Sequence, residues 1–193
     1  LKVNIIKYPK DNDWLLVKNN ALVTVGKESD KFPDTKWKTK ILVSEHSPIR
    51  DLIYTWEWIN LPSWVSTHLV RHKFGIEHFV KSQRNDRQKE YDRTKAPQDA
   101  PVNHRCTANA QAILNISHRR LCNCASKETI VAWRLFLAEL SLYSPELTGL
   151  CVPSCIYRNG ICPEVFSPCG YNNTDQFKDK LIIYKQILNL LKE

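Results

Sequence analysis

The run Leu52-Ile53-Tyr54-Thr55-Trp56-Glu57-Trp58-Ile59 limits the fold more than any other stretch of the chain. Aromatic and β-branched side chains suit a pleated, half-buried surface, so these residues predict a strand. Pro62 ends it, and Ser63–Val70 begins a new element of helical character. Upstream, Ala21–Val25 reads as a second strand ahead of Gly26, and the polar residues 27–40 read as a loop. Lys36–Val43 fits a helix that stops before Pro48. Downstream, residues 86–104 are rich in charge, Pro and Gln and predict a solvated loop. A helix is expected from Ala108 to about Cys124. Another follows with Ser126 as N-cap and Ile130, Trp133, Leu137 and Leu140 at helical spacing. Ser144-Pro145 resembles a cap followed by proline in the first turn. Residues 151–171 are irregular and Cys-rich. Thr174 caps a C-terminal helix over about 175–192, whose seam of Phe177, Leu181, Tyr184, Leu188 and Leu191 docks on the body.

With 193 residues and 42% hydrophobic content, the chain suits one domain over 1–193, with its motif-bearing core at about 41–130. No apolar run reaches the length of a bilayer, and no charged-then-apolar leader opens the chain. The expectation is a cytoplasmic protein, or one in the host cytoplasm if phage-encoded. The net charge of +8 favours an anionic partner, and nucleotides, nucleic acids and acidic membranes all qualify. The seven cysteines, odd in number and irregularly spaced, suit a reducing compartment. Cys151, Cys155, Cys162 and Cys169 cluster in sequence, and Cys122 and Cys124 can join them. Their gaps do not match the paired short spacings of zinc sites, so buried free thiols and no metal are expected. His78, His104 and His118 have no ligand spacing and read as surface or satisfied histidines.

Two segments carry chemistry. In the first, Thr67-His68-Leu69-Val70-Arg71-His72-Lys73 runs on to Lys81-Ser82-Gln83-Arg84. If extended, Ser82 and Arg84 present a hydroxyl and a guanidinium fork to one anion, which suits phosphate. Alone, Arg71-His72-Lys73 is an ordinary solvated charge run. In the second, Asn109-Ala110-Gln111 is followed by Asn115 and by Arg119-Arg120. Eleven helical steps return Arg120 nearly to the face of Asn109, about three turns away, so one stripe reaches two parts of a long ligand. Alone, it is an amphipathic helix with a basic C-terminal end.

In their order and spacing, Arg71-His72-Lys73…Ser82-x-Arg84 and Asn109-Ala110-Gln111…Asn115…Arg119-Arg120 together resemble the flavin-dependent thymidylate synthases, as a compact, divergent, phage-like member. Glu45-His46-Ser47-Pro48 is similar to that family's lead-in. The resemblance implies an α+β fold with a central, mostly antiparallel sheet packed by helices. It implies FAD bound by Arg71, His72, Lys73, Asn109, Asn115 and His46. It implies a pyrimidine deoxynucleotide monophosphate held by His68, Ser82, Gln83, Arg84 and Arg120, with Arg120 the leading catalytic candidate. The implied reaction moves a one-carbon unit from methylenetetrahydrofolate to C5 of dUMP, with hydride from FADH2 and NADPH regenerating the flavin, in a homotetramer with sites between subunits. Lys73 and Gln111 stand where the family has arginine, Val80 where it has an acid, and the stretch between motifs is short. Those departures admit a hydroxymethyl product or dCMP as substrate. From another class, the basic clusters admit a nucleic-acid-binding domain without activity.

Overall fold

The computed structural model describes residues 1–88 and 92–191; positions 89–91 of the expected loop, and position 192 of the expected last helix, lie outside them. In chain order the elements are β1 (Lys2–Lys7), α1 (Asp11–Leu22), α2 (Thr35–Val43), β2 (Ile53–Pro62), α3 (Ser63–Leu69), β3 (Ile76–Val80), β4 (Pro101–Asn109), α4 (Ala110–Arg120), α5 (Lys127–Ser141), α6 (Pro145–Thr148), α7 (Ser154–Tyr157) and α8 (Asp175–Leu190). The strands form one antiparallel sheet in the order β1-β2-β4-β3. The fold is α+β, as expected.

β2 is the strand that its aromatic run predicts. Tyr54, Trp56 and Trp58 alternate onto its buried face. Opposite them, in register, β4 sets Ala108, Cys106 and His104. The small Ala108 and Cys106 leave room for Tyr54 and Trp56, while the His104 ring packs edge-on against Trp58 at 5.6 Å. Against this face lies α5: Trp56 stacks on Phe136 at 4.1 Å, and the Trp58 indole donates to the Ala132 carbonyl at 2.9 Å. From α4, the Ser117 hydroxyl accepts from the Trp133 indole at 2.9 Å, so α4 and α5 are locked together over the sheet.

Three expectations change. Ala21–Val25 is not a strand: it completes α1 and a 3-10 turn, ended by Gly26 at φ 67°. Apolar residues in so short a run fit either period, and here the helix beginning at Asp11 claims them. β2, by contrast, ends at Pro62 with α3 starting at Ser63, as expected. The 86–104 loop gives up Pro101–His104 to β4, whose inward positions include polar His104 and so hide the alternation. Consequently α4 starts at Ala110, not Ala108, and closes at Arg120. β3 had no counterpart in the sequence reading. By contrast α2, α3, α5 and the first turn of α8 form as expected, with Ser126 and Thr174 accepting from the Thr129 and Phe177 amides. Phe177 and Tyr184 of the α8 seam are buried against the body.

Candidate functional site

α4 follows directly from β4, and Asn109 at the junction caps it by accepting from the Ala112 amide at 2.9 Å. The same residue donates its backbone N–H to the Gly75 carbonyl at 2.9 Å. Gly75 has φ +72°, and a Cβ there would lie 2.7 Å from Asn109 Nδ2. Only glycine suits both the left-handed backbone and that approach. At the other end of α4, Arg120 donates from Nε to His72 Nε2 at 2.8 Å and from Nη2 to the His68 carbonyl at 2.5 Å. The loop carrying Arg71, His72 and Lys73 is therefore fastened to both ends of α4. Asn109 is the last residue of β4 and caps α4 in an extended conformation, so it meets this loop from the helix end rather than from a helical stripe shared with Arg120.

Arg120 is half-buried, and its charge is felt by its neighbours. Burial, then the Arg120 cation, then His78 and Arg119 hold the His72 imidazole down at about 4. At neutral pH His72 is uncharged. Its Nε2 accepts from a guanidinium that can only donate, so its proton sits on Nδ1. That donor has no protein partner among the described residues. Arg71 lies close enough to Arg120 to act on it, and both Arg71 and Lys73 are exposed.

Beneath this loop runs a chain of hydrogen bonds. His78 Nε2 meets the His72 carbonyl at 2.8 Å, His78 Nδ1 meets His104 Nε2 at 2.9 Å, and His104 Nδ1 meets the Ser66 hydroxyl at 3.0 Å. A carbonyl only accepts, so His78 donates to it from Nε2; with one proton on each ring, His104 donates from Nε2 and Ser66 donates to His104 Nδ1. Burial, then His78, keeps His104 at about 4. Cys106 sits 3.2–3.3 Å from the two facing ring nitrogens, and burial pushes its thiol far up. The reading of His78 and His104 as satisfied histidines stands, although they are not scattered but joined. Nothing in their sequence spacing pointed to this; it follows from the β3–β4 register, which sets His78 opposite Cys106. His118 is satisfied as well, through the Val152 carbonyl at 2.9 Å.

The remaining candidates fall into two places. His68 packs edge-on against Trp64 and contacts the Thr129 hydroxyl at 3.2 Å, beside Arg120. Ser82, Gln83 and Arg84 follow β3 without regular structure. Here Ser82 accepts from the Arg84 amide at 3.3 Å, and the Arg84 fork closes on Asp86 at 2.9 and 2.5 Å. Both partners are well exposed, so this pair is weak and open to exchange with another anion. Asn115 lies elsewhere. It faces out from α4 with Gln111, whose amide donates to Glu45 at 2.5 Å and to Asn115 at 3.4 Å. Tyr157 donates to the other Glu45 oxygen at 2.7 Å, and His46 is exposed next to it in sequence. Glu45 and Tyr157 are site neighbours that sequence reasoning missed, because they join α4 only through tertiary contacts. Asn115 thus contacts Gln111 beside Glu45, whereas His72 contacts Arg120.

The cleft at the basic patch is about 280 Å³ and is lined by His72, Arg119, Arg120, Cys122, Cys124 and Glu164 among others. A larger cleft of about 580 Å³ lies between α5 and α8 and contains none of the candidate residues. No described helix is long and apolar enough to cross a membrane.

No family model matches the sequence, and no curated protein matches it. Solved structures do match its fold. Thymidylate synthase X from Helicobacter pylori, crystallised with FAD and dUMP, superposes with a TM-score of 0.62 at 16% identity, over 78% of this chain and 98% of that one. A second structure of the flavin-dependent enzyme from the same organism, also complexed with FAD and dUMP, gives 0.62 at 18% identity, over 79% and 100%. The chain has the fold of the flavin-dependent thymidylate synthases.

Proposed function

We propose that the protein binds FAD and a pyrimidine deoxynucleotide monophosphate and methylates dUMP at C5, with methylenetetrahydrofolate as carbon donor and NADPH as reductant. One observation carries the reading. The Arg120 fork holds His72 in a single neutral tautomer on a loop fastened to both ends of α4, in a fold whose solved relatives contain both FAD and dUMP.

The residues present fit an anionic dinucleotide. Arg71 and Lys73 are exposed cations beside the half-buried Arg120. Together they favour pyrophosphate and the negative charge of a reduced isoalloxazine. His72 adds one neutral donor, at Nδ1. Bound FAD would supply the hydride. The protein's part is to orient, to neutralise and to keep water out. Ser82, Gln83 and Arg84 suit the nucleotide phosphate, with Arg84 exchanging Asp86 for it, and His68 lies beside Arg120 to meet the base.

A cleft of about 280 Å³ falls at the low edge of the ~300–1,000 Å³ that encloses drug-sized ligands, and FAD is larger than these. That size supports a site shared between copies of the chain in a homotetramer, with His72 and Arg120 of one facing His46 and Asn115 of another. The Glu45–Gln111 pair favours a second reading. Where the resemblance expects arginine stands an amide bound to a carboxylate, and that loss of positive charge suits dCMP as substrate or a hydroxymethyl product. An absorbance spectrum of freshly purified protein tests the flavin. Product masses from dUMP and from dCMP, each with methylenetetrahydrofolate and NADPH, test the chemistry. Colourless protein with steeply salt-sensitive DNA binding would replace both readings with a nucleic-acid-binding domain.

A further inference from the structure

Free cysteines are among the most buried side chains in proteins. Cys106, Cys151 and Cys155 obey that rule here; Cys124 and Cys169 are exposed and Cys122 is half-buried. Their three sulfurs nevertheless converge, all within 4.8 Å of one another. Cys122 and Cys124 come from the turn after α4, and Cys169 from the irregular segment that returns to it. We propose that Cys122, Cys124 and Cys169 form a structural site for one zinc ion, or a cation of similar softness, which clamps that segment to the end of α4.

Three observations lead there. A tetrahedral zinc with bonds of ~2.3 Å sets thiolate sulfurs about 3.8 Å apart, so the present spread closes with a small adjustment. Second, residues 158–170 have no helix or strand and do not bury their apolar side chains: Ile161, Val165 and Phe166 are 67%, 77% and 98% exposed. What holds them to α4 includes an exposed Arg119–Glu164 pair at 3.4 Å and a Cys124 Sγ contact to the Ser167 carbonyl at 3.6 Å. An exposed ion pair contributes little, so a metal supplies what the apolar contacts lack. Third, three sulfurs at one point exceed what a disulfide uses. The expectation of buried thiols holds for Cys151 and Cys155 but not for Cys124 and Cys169, which are exposed.

Loading replaces three S–H bonds with three S–Zn bonds and releases three protons to the buffer, with no change of oxidation state. Since Cys124 and Cys169 are exposed, water reaches the fourth tetrahedral position. Cys122 lies two residues beyond Arg120, so the clamp also steadies the end of α4 that carries the basic patch.

The test uses the full chain, expressed with zinc supplied and purified without chelator. Elemental analysis is expected to find about one zinc per chain. In the double variant Cys124→Ser/Cys169→Ser that content falls at least about tenfold, as removal of two of three ligands requires. If the variant does not fold, stepwise modification of native wild-type thiols replaces it, and zinc should leave as Cys122, Cys124 and Cys169 react, identified by peptide mapping. The proposal is overturned by wild-type protein that neither contains zinc nor takes up added zinc chloride, or by a double variant that keeps its zinc. It is equally overturned if unreduced protein lacks two of its titratable thiols and carries no metal, which means a disulfide.

Discussion

Acidification will weaken the fold through His104, and the size of the effect follows from its surroundings. The ring is fully buried and hydrogen-bonded at both nitrogens as a neutral species, and its burial and the neighbouring His78 lower it from 6.5 to about 4. In the unfolded chain it titrates near 6.5. Between those values the unfolded state binds a proton that the folded state refuses. Stability present above pH 6.5 is therefore lost as pH falls, and the loss levels off below about 4. A gap of two and a half pH units, at ~1.4 kcal/mol each, comes to roughly 3 kcal/mol. His72 is lowered in the same direction, but it is more open to solvent and adds less. Urea unfolding from pH 7.5 to 4 measures the loss. The variant His104→Gln removes the titration while keeping an acceptor and a donor. Relative to wild type it should be less stable at pH 7.5 and lose less on acidification, by about the same 3 kcal/mol. Parallel losses in the two proteins would refute the assignment of the acid-labile proton to His104.

Three further outcomes are expected. Arg120→Lys replaces the fork with a point charge that cannot hold both His72 and the His68 carbonyl. Ligand affinity should fall about 10- to 100-fold, the worth of one or two hydrogen bonds to a charged group, with an unchanged far-ultraviolet circular dichroism spectrum. Gly75→Ala strains a positive-φ position and pushes on the Asn109 cap. It should cost about 1–3 kcal/mol in thermal or urea unfolding. Trp56→Ala empties the space between Phe136 and Trp58 and should cost roughly 3–5 kcal/mol, read as a fall in the urea midpoint at constant slope.

What could be read from the chain followed local rules. β2 was legible because one run of aromatic and β-branched residues fits only a pleat, and α5 and α8 were legible through their caps and apolar spacing. β4 was not, because its inward positions are occupied by His104, Cys106 and Ala108, chosen to oppose large side chains on β2 rather than to be apolar themselves. For the site, the helix ending at Arg120 was legible from its local pattern, but Asn109 proved to be the end of β4 and the cap of that helix. The Ser66–His104–His78 chain was not. Its members sit on three elements, and only the strand register brings them together. The same holds for Glu45, which meets Gln111 and Tyr157 across the fold.

The division of the candidate residues into two patches has a genetic consequence. A chain disabled at Arg120 retains an intact Asn115, and one disabled at Asn115 retains an intact Arg120. If the proposed site is shared between copies, two such chains co-expressed would assemble mixed oligomers in which some junctions pair a sound half from each parent. Activity would reappear in the mixture although neither parent has any, and dilution to monomers would abolish it again.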